Sequence, residues 1–211
     1  MKNKKVEALY IKDIAPHEEY NEAHLKHLKN IILREGILRR PILVDEETGM
    51  IIDGTHRYTI LERMGFEAVP ALTVDYLEEE IVIMPWNRVY SGFDSRGLEF
   101  GSDGEVRIYF NGKATHVSKP YRSNDAIKHI DTINADRLIK YVRHIPEERE
   151  FIVVTYKPPS RYEVIEIFKS GLRFPPKFTR HIIKNIEIPE INIPLLDLIS
   201  IYRLEKRLSK V

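Results

Sequence analysis

Gly49-Met50-Ile51-Ile52-Asp53-Gly54-Thr55-His56-Arg57-Tyr58 is the stretch from which the rest of the chain is read. It has the pattern of a tight turn, a short buried strand, and a glycine leading straight into a helix. Ile51 and Ile52 form the apolar run, and Gly54 permits a sharp turn or a close backbone approach. Thr55 is placed to cap a helix over Tyr58 to Met64 that closes at Gly65. A helix that starts there aims its N–H groups and positive dipole end outward, an arrangement that receives an anion, most naturally phosphate. Asp53, Thr55, His56 and Arg57 add a carboxylate, a hydroxyl, an imidazole and a guanidinium to the same small region. An ordinary strand-turn-helix with a polar cap has the same local pattern, because that context is common.

Working outward, Val6 to Ile14 alternates apolar and polar residues as a strand does, and Ala15-Pro16-His17-Glu18-Glu19 breaks it. Asn21 is a cap for a helix to Arg34, with Leu25, Leu28, Ile32 and Leu33 on one face and Gly36 at its end. Pro41 to Val44 reads as a strand, and residues 45–49 as a hairpin-like turn into the central stretch. Val69 to Val74 and Ile81 to Met84 read as two further strands. Beyond them, Ser91 to Gly104 has loop composition. Glu105 to Phe110 and Ala114 to Val117 are paired strands joined by Asn111-Gly112. A helix is expected from Ser123 or Asn124 to about Val142, a strand over Phe151 to Tyr156, and a helix over Tyr162 to Lys169. A terminal amphipathic helix is expected over Ile193 to Leu208. The class is α+β, with one lobe over residues 1–85 and a second α+β lobe over residues 86–211.

Composition narrows the function. The chain has 211 residues, with 33 basic against 32 acidic side chains. No global field argues for nucleic acid or a membrane surface. Cysteine is absent, which excludes disulfides, thiolate chemistry and cysteine-bound zinc. The basic start Met1 to Lys5 has no signal-peptide core after it, and no segment is long and apolar enough to span a bilayer, so the expected location is the cytoplasm. Glutamine is absent while Ile, Glu, Lys and Arg abound, a bias that fits a thermophilic protein.

His17-Glu18, Gly36-Ile37, Pro41-Ile42-Leu43-Val44-Asp45 and Ile52-Asp53-Gly54-Thr55-His56-Arg57-Tyr58 together resemble the ParB/sulfiredoxin fold. That family sets nucleotide phosphates against its D-G-x-H-R segment. Its branches separate on residues. Sulfiredoxins need a cysteine where Thr55 stands here. ParB-type segregation proteins carry a G-E-R-R box and a helix-turn-helix domain, and neither pattern follows Gly54. Free L-serine kinases resemble this chain best. They share the D-G-x-H-R segment, an H-E pair near the N-terminus, a downstream tryptophan and an F-P-P-K-x-T-R-H segment. Here these are His17-Glu18, Trp86, and Phe174-Pro175-Pro176-Lys177-Phe178-Thr179-Arg180-His181.

The resemblance implies phosphoryl transfer from ATP or ADP, with Mg2+, to the hydroxyl of free L-serine. ATP is taken first as the commoner donor. Such a transfer needs donors for the phosphates and a carboxylate within reach of the hydroxyl. Gly54, Thr55, His56 and Arg57 would hold the nucleotide, although Arg57 could equally stabilise the core. Glu18 would be the base, with Glu19 adjacent to it. Asp53 would orient Mg2+ or the hydroxyl, or else satisfy the turn. No residue set stands out as a dedicated metal cage. Trp86, Lys177, Thr179, Arg180 and His181 would hold serine, whose carboxylate suits cationic partners. A lone tryptophan is also a common core anchor. The second lobe is expected to complete the substrate pocket. A ParB-like, nucleotide-dependent DNA-binding protein is the alternative. Nucleic acid is not an expected partner on charge, and oligomeric state is not legible.

Overall fold

The structure is a computed structural model that describes residues 4–118, 122–146 and 150–210; Met1 to Asn3 of the basic start lie outside the described residues. In chain order the elements are β1 (Val6–Tyr10), β2 (Ala15–Pro16), α1 (Glu22–Glu35), β3 (Ile37–Leu38), β4 (Ile42–Asp45) and β5 (Met50–Asp53). Then come α2 (Thr55–Arg63), β6 (Ala68–Val74), β7 (Ile81–Pro85), β8 (Asn87–Tyr90), β9 (Phe100–Gly101), β10 (Val106–Phe110) and β11 (Lys113–Val117). The chain finishes with α3 (Ser123–Ile133), β12 (Leu138–Val142), β13 (Ile152–Tyr156), α4 (Arg161–Lys169), β14 (Thr179–Ile183), β15 (Ile193–Pro194) and α5 (Ile201–Leu208). Helices and strands mix along the whole chain, as the α+β reading expects.

Contacts divide these elements into two units. The first takes residues 1–82, 161–176 and 181–211; the second takes residues 83–160 and 177–180. A single cut after residue 85 is therefore not how the chain divides. The physical reason is that the C-terminal segments complete the first core: β15 pairs with β3, and α5 packs on β1.

In the first unit a five-stranded sheet runs β1-β6-β4-β5-β2. β4 is parallel to β6 and antiparallel to β5. Ile42, Leu43, Val44, Met50 and Ile51 are each at most 1% exposed, so the centre of this sheet is covered on both faces, as its unbroken apolar runs demand. Two glycines shape the route into the site. Gly49 has φ 72° and sits so close to Asp13 that a Cβ would meet its carbonyl at 2.4 Å. Gly54, with φ 107°, turns β5 into α2 in a conformation that side chains resist.

The second unit is a six-stranded sheet in the order β12-β8-β13-β10-β11-β9, with α3 against β10. Asn111 and Gly112 both have positive φ, the left-handed pair that a two-residue hairpin requires. Several boundaries differ from the sequence expectation. α2 begins at Thr55 itself, with Gly54 in the cap position and no side-chain cap, so Thr55 is not the cap. The helix expected up to Val142 stops at Ile133, because Asn134 turns the chain and Leu138–Val142 pairs with β8. The terminal helix is confined to Ile201–Leu208, after a short strand and a 3-10 turn, and Ser200 caps it. The first strand ends at Tyr10, with a 3-10 turn over Ile11–Asp13.

Candidate active site

Residues 17–19 and Phe174 form a short parallel bridge in the first unit. The Phe174 N–H donates to the His17 carbonyl at 2.9 Å, and the Glu19 N–H donates to the Phe174 carbonyl at 2.8 Å. Two motifs far apart in sequence are thus tied by backbone bonds. His17 is 2% exposed, and its Nδ1 lies 2.6 Å from the Ile51 carbonyl, so that nitrogen carries the proton. This bond fixes the His17-Glu18 pair to β5, the strand that leads into Gly54. The Glu18 carboxylate is 12% exposed, with Oε1 3.7 Å from His17 Nε2, whereas Glu19 is exposed. Burial thus separates two neighbours that sequence alone could not.

His181 joins the same cluster. Its ring is edge-on to His17 at 5.2 Å, and its Nε2 lies 2.7 Å from the Tyr76 hydroxyl. Burial, reinforced by the neighbouring His17, holds His181 well below the usual histidine range despite a hydrogen bond to the Ile52 backbone. The imidazole is therefore neutral at pH 7, donating to the backbone and accepting from Tyr76. Burial pushes the Tyr76 phenol far above its ordinary value, so it stays protonated to donate.

The turn after β5 carries the phosphate-binding candidates. Gly54 is the cap, and the first turn of α2 holds no acidic residue. An arriving anion would meet no carboxylate within the helix start. Arg57 folds back over Gly54: its Nη2 bonds Asp53 Oδ2 at 2.8 Å, and its Nη1 reaches the Arg40 carbonyl at 3.3 Å. Asp53 is otherwise open, with 64% of its side chain exposed. His56 Nε2 accepts the Asn21 N–H at 3.2 Å, and its ring meets His24 at 4.6 Å. His56 thereby fastens the start of α1 to the start of α2. Among the described residues no group of three or more His, Cys, Asp or Glu is arranged to hold a metal.

Trp86, Lys177, Thr179 and Arg180 fall in the second unit, while His181 falls in the first. Trp86 is half-buried, and three cations surround its ring: Lys177 Nζ at 5.0 Å, Arg180 at 5.7 Å and Arg143 at 5.9 Å from the centroid. Thr179 is 6% exposed. Lys177 has φ 56°, a left-handed conformation that costs a non-glycine residue about 1 kcal/mol or more. Tyr156 holds the backbone beyond it. Its hydroxyl donates to the Phe178 carbonyl at 2.7 Å, and its ring stacks on Phe178 at 4.7 Å.

Behind Tyr156 lies Arg88, fully buried. Its Nε meets both oxygens of Asp131 at 2.7 and 2.9 Å, and its Nη1 donates to the Trp86 carbonyl at 3.0 Å and to Tyr156 at 3.1 Å. Tyr90 adds a third bond to Asp131, at 2.7 Å. Sequence reasoning missed Tyr76, Arg88, Asp131, Arg143 and Tyr156. Only Arg88 had a signal, its place two residues after Trp86; the others are isolated residues whose roles depend on strand pairing.

No family model matches the sequence. The chain is 29% identical to an ATP-dependent L-serine kinase of Staphylothermus marinus, over 86% of each protein. It is 28% identical to a ParB-like protein of Sulfolobus acidocaldarius, over 86% of this chain and 92% of that one. It is 24% identical to the ADP-dependent L-serine kinase SerK of Thermococcus kodakarensis, over 85% of this chain and 88% of that one. Among solved structures, SbnI with a C-terminal truncation from Staphylococcus aureus matches with a TM-score of 0.82 at 18% identity, covering 100% of this chain and 99% of that one. A free serine kinase in complex with AMP matches with a TM-score of 0.75 at 22% identity, covering 94% and 95%. The fold is thus the one those two structures share. Along most of its length the chain is similar to kinases of free L-serine, as the motifs imply.

Proposed function

We propose that the protein is a kinase that transfers a phosphoryl group from ATP or ADP to the hydroxyl of free L-serine, giving O-phospho-L-serine. The observation that carries this reading is the backbone bridge between residues 17–19 and Phe174, anchored to Ile51 by His17. It gives the chain a shielded carboxylate, Glu18, on the strand system that runs into Gly54 and the uncapped start of α2. A base must be held and partly desolvated to accept a hydroxyl proton, and Glu18 meets both conditions where Glu19 does not. The backbone of Gly54 to Arg57 and the side chains of Thr55 and His56 receive the nucleotide phosphates. Arg57 keeps Asp53 oriented and adds positive charge.

Mg2+ fits this chain as an ion carried on the phosphates, since it favours one or two carboxylates plus phosphate oxygens over an all-protein cage. Asp53, open and adjacent to Gly54, is the carboxylate suited to meet it. When bound, the ion neutralises charge on the phosphoryl oxygens. Trp86, Lys177, Thr179 and Arg180 hold the serine substrate. His181 serves as a neutral hydrogen-bonding group beside His17 rather than as a cation. The enzyme works in the cytoplasm, where both donors are found.

The test is direct. L-serine is incubated with Mg2+ and either ATP or ADP, and phosphoserine is measured. Product with one donor names that donor. No product with either, together with salt-sensitive retention of duplex DNA, would instead favour the ParB-like alternative.

A further inference from the structure

Arg88 is a charged side chain with 0% exposure. Asp131, on α3, takes its Nε with both oxygens, and Tyr90 donates to the same carboxylate. The guanidinium carbon also lies 5.4 Å from the Tyr141 ring centroid and 5.3 Å from that of Tyr156. Burying such an ion pair carries a large desolvation cost, and apolar residues of similar volume often serve a core as well or better. Core stability is therefore a weak reason for an arginine at this position. What the guanidinium does, and an apolar side chain cannot, is hold backbone. Its Nη1 donates to the Trp86 carbonyl at 3.0 Å and to the Tyr156 hydroxyl at 3.1 Å. That hydroxyl donates onward to the Phe178 carbonyl at 2.7 Å. One buried cation is thus bonded to the chain at Trp86 and, one hydroxyl further, to the chain at Phe178. The second segment needs a hold, because Lys177 just before it has φ 56°. Linked donors polarise one another, so the charge on Arg88 strengthens the bond from Tyr156.

We infer that Arg88 and Asp131 are positioning residues for the acceptor substrate: together they fix the two backbone segments that carry Trp86 and Lys177. This rests on the proposed kinase reading, in which those segments hold L-serine. Arg88, fully buried, acts only through the groups it bonds. Asp131 sets the rotation of the guanidinium by occupying Nε, which leaves Nη1 for the carbonyl and the hydroxyl. Neither residue belongs to a motif that marks the nucleotide end. Their loss should therefore weaken the acceptor and spare the donor.

The test removes both charges at once, since a lone Asp131 would be left uncompensated. In Arg88→Met/Asp131→Asn the asparagine still accepts from Tyr90, and the melting temperature should stay near that of the parent. The KM for L-serine should rise by about tenfold or more, while the KM for nucleotide is unchanged. Arg88→Lys, which keeps the charge but not the fork, should fall between parent and double variant. Asp131→Asn alone preserves shape and should show the same split in smaller measure, which covers a double variant that does not fold. Ile130→Val, a fully buried neighbour of Asp131 on α3, serves as the control for lost packing and should leave both KM values alone. Trp86 is the sole tryptophan, so its anisotropy decay in the ligand-free protein reads the same hold without turnover. Faster local motion of the ring is expected in the double variant, with partial recovery in Arg88→Lys. Unchanged serine KM and unchanged Trp86 motion in the folded variants would overturn the inference. So would equal rises in both KM values, or a serine defect of the same size in Ile130→Val. Absence of phosphoserine with the parent enzyme is a separate result, which fails the kinase reading and leaves the anisotropy to decide whether Arg88 holds Trp86.

Discussion

The two polar clusters of this chain manage charge in opposite ways. In the first unit His17, His181 and Tyr76 sit together beside a single shielded carboxylate, and burial keeps the His181 ring neutral. In the second unit three cations share one indole ring, and none of them forms an ion pair with a carboxylate among the described residues. A neutral, bonded cluster orders its members before any ligand arrives, and suits a base that must wait in one position. An uncompensated cationic cluster stays short of its best energy until an anion joins it. Preorganised chemistry and ligand capture are thus built from different electrostatic states.

The sharpest way to break the contrast is to remove the charge on which the first cluster turns. Glu18→Gln keeps the shape of the side chain but cannot accept a proton. Phosphoserine formation should fall by about 10²- to 10⁴-fold in kcat, the usual scale for a general base. Glu19→Gln, at an exposed position, should stay within a few-fold of the parent. Equal losses in the two variants would remove Glu18 from its proposed role.

The ends of α1 and the turn into α2 were legible before the structure, and the reason is local. Gly36, Gly54 and Asn21 act on their own neighbours: Asn21 caps α1, accepting the His24 N–H at 2.9 Å, and Gly36 closes it with φ 67°. The Asn111-Gly112 hairpin is equally local. What could not be read depends on pairing across long separations. Phe174 meets residues 17–19 through a bridge that no periodicity announces, and β15 returns to β3 from the far end of the chain. Leu138–Val142 has helix-compatible residues but is drawn into β8, so tertiary pairing overrides local preference. Tyr156 and Tyr76 look like any strand or turn tyrosine until their hydroxyl partners are known.

The second cluster can be sharpened through the bond that props it. Tyr156→Phe retains the stack on Phe178 but removes the hydroxyl that links Arg88 to the Phe178 carbonyl. The KM for L-serine should rise by about tenfold, equivalent to 1.4 kcal/mol, the worth of a buried hydrogen bond. The KM for nucleotide should change little. Stability should fall by about 1–3 kcal/mol because Arg88 Nη1 and a carbonyl lose a partner. Parallel losses in both KM values would mean that Tyr156 supports the fold rather than the serine end.

The smallest expected effect tests the neutrality of the first cluster. His181 has a folded pKa well below the ordinary 6.5, so below that pH the unfolded chain binds a proton that the native state refuses. Stability is then full above 6.5 and is lost as pH falls. The loss attributable to this residue is about 1 kcal/mol between pH 7 and pH 5.5, from one site titrating in the unfolded state alone. Denaturant midpoints measured at both pH values should therefore drop for the parent and drop less for His181→Asn, which cannot take up the proton. Tyr76→Phe, which removes the hydroxyl facing Nε2, should lower stability at both pH values and ease protonation of the ring, narrowing the pH difference. A pH dependence identical in parent and His181→Asn would show that His181 titrates normally in the native protein. The two clusters would then no longer differ in the way their geometry requires.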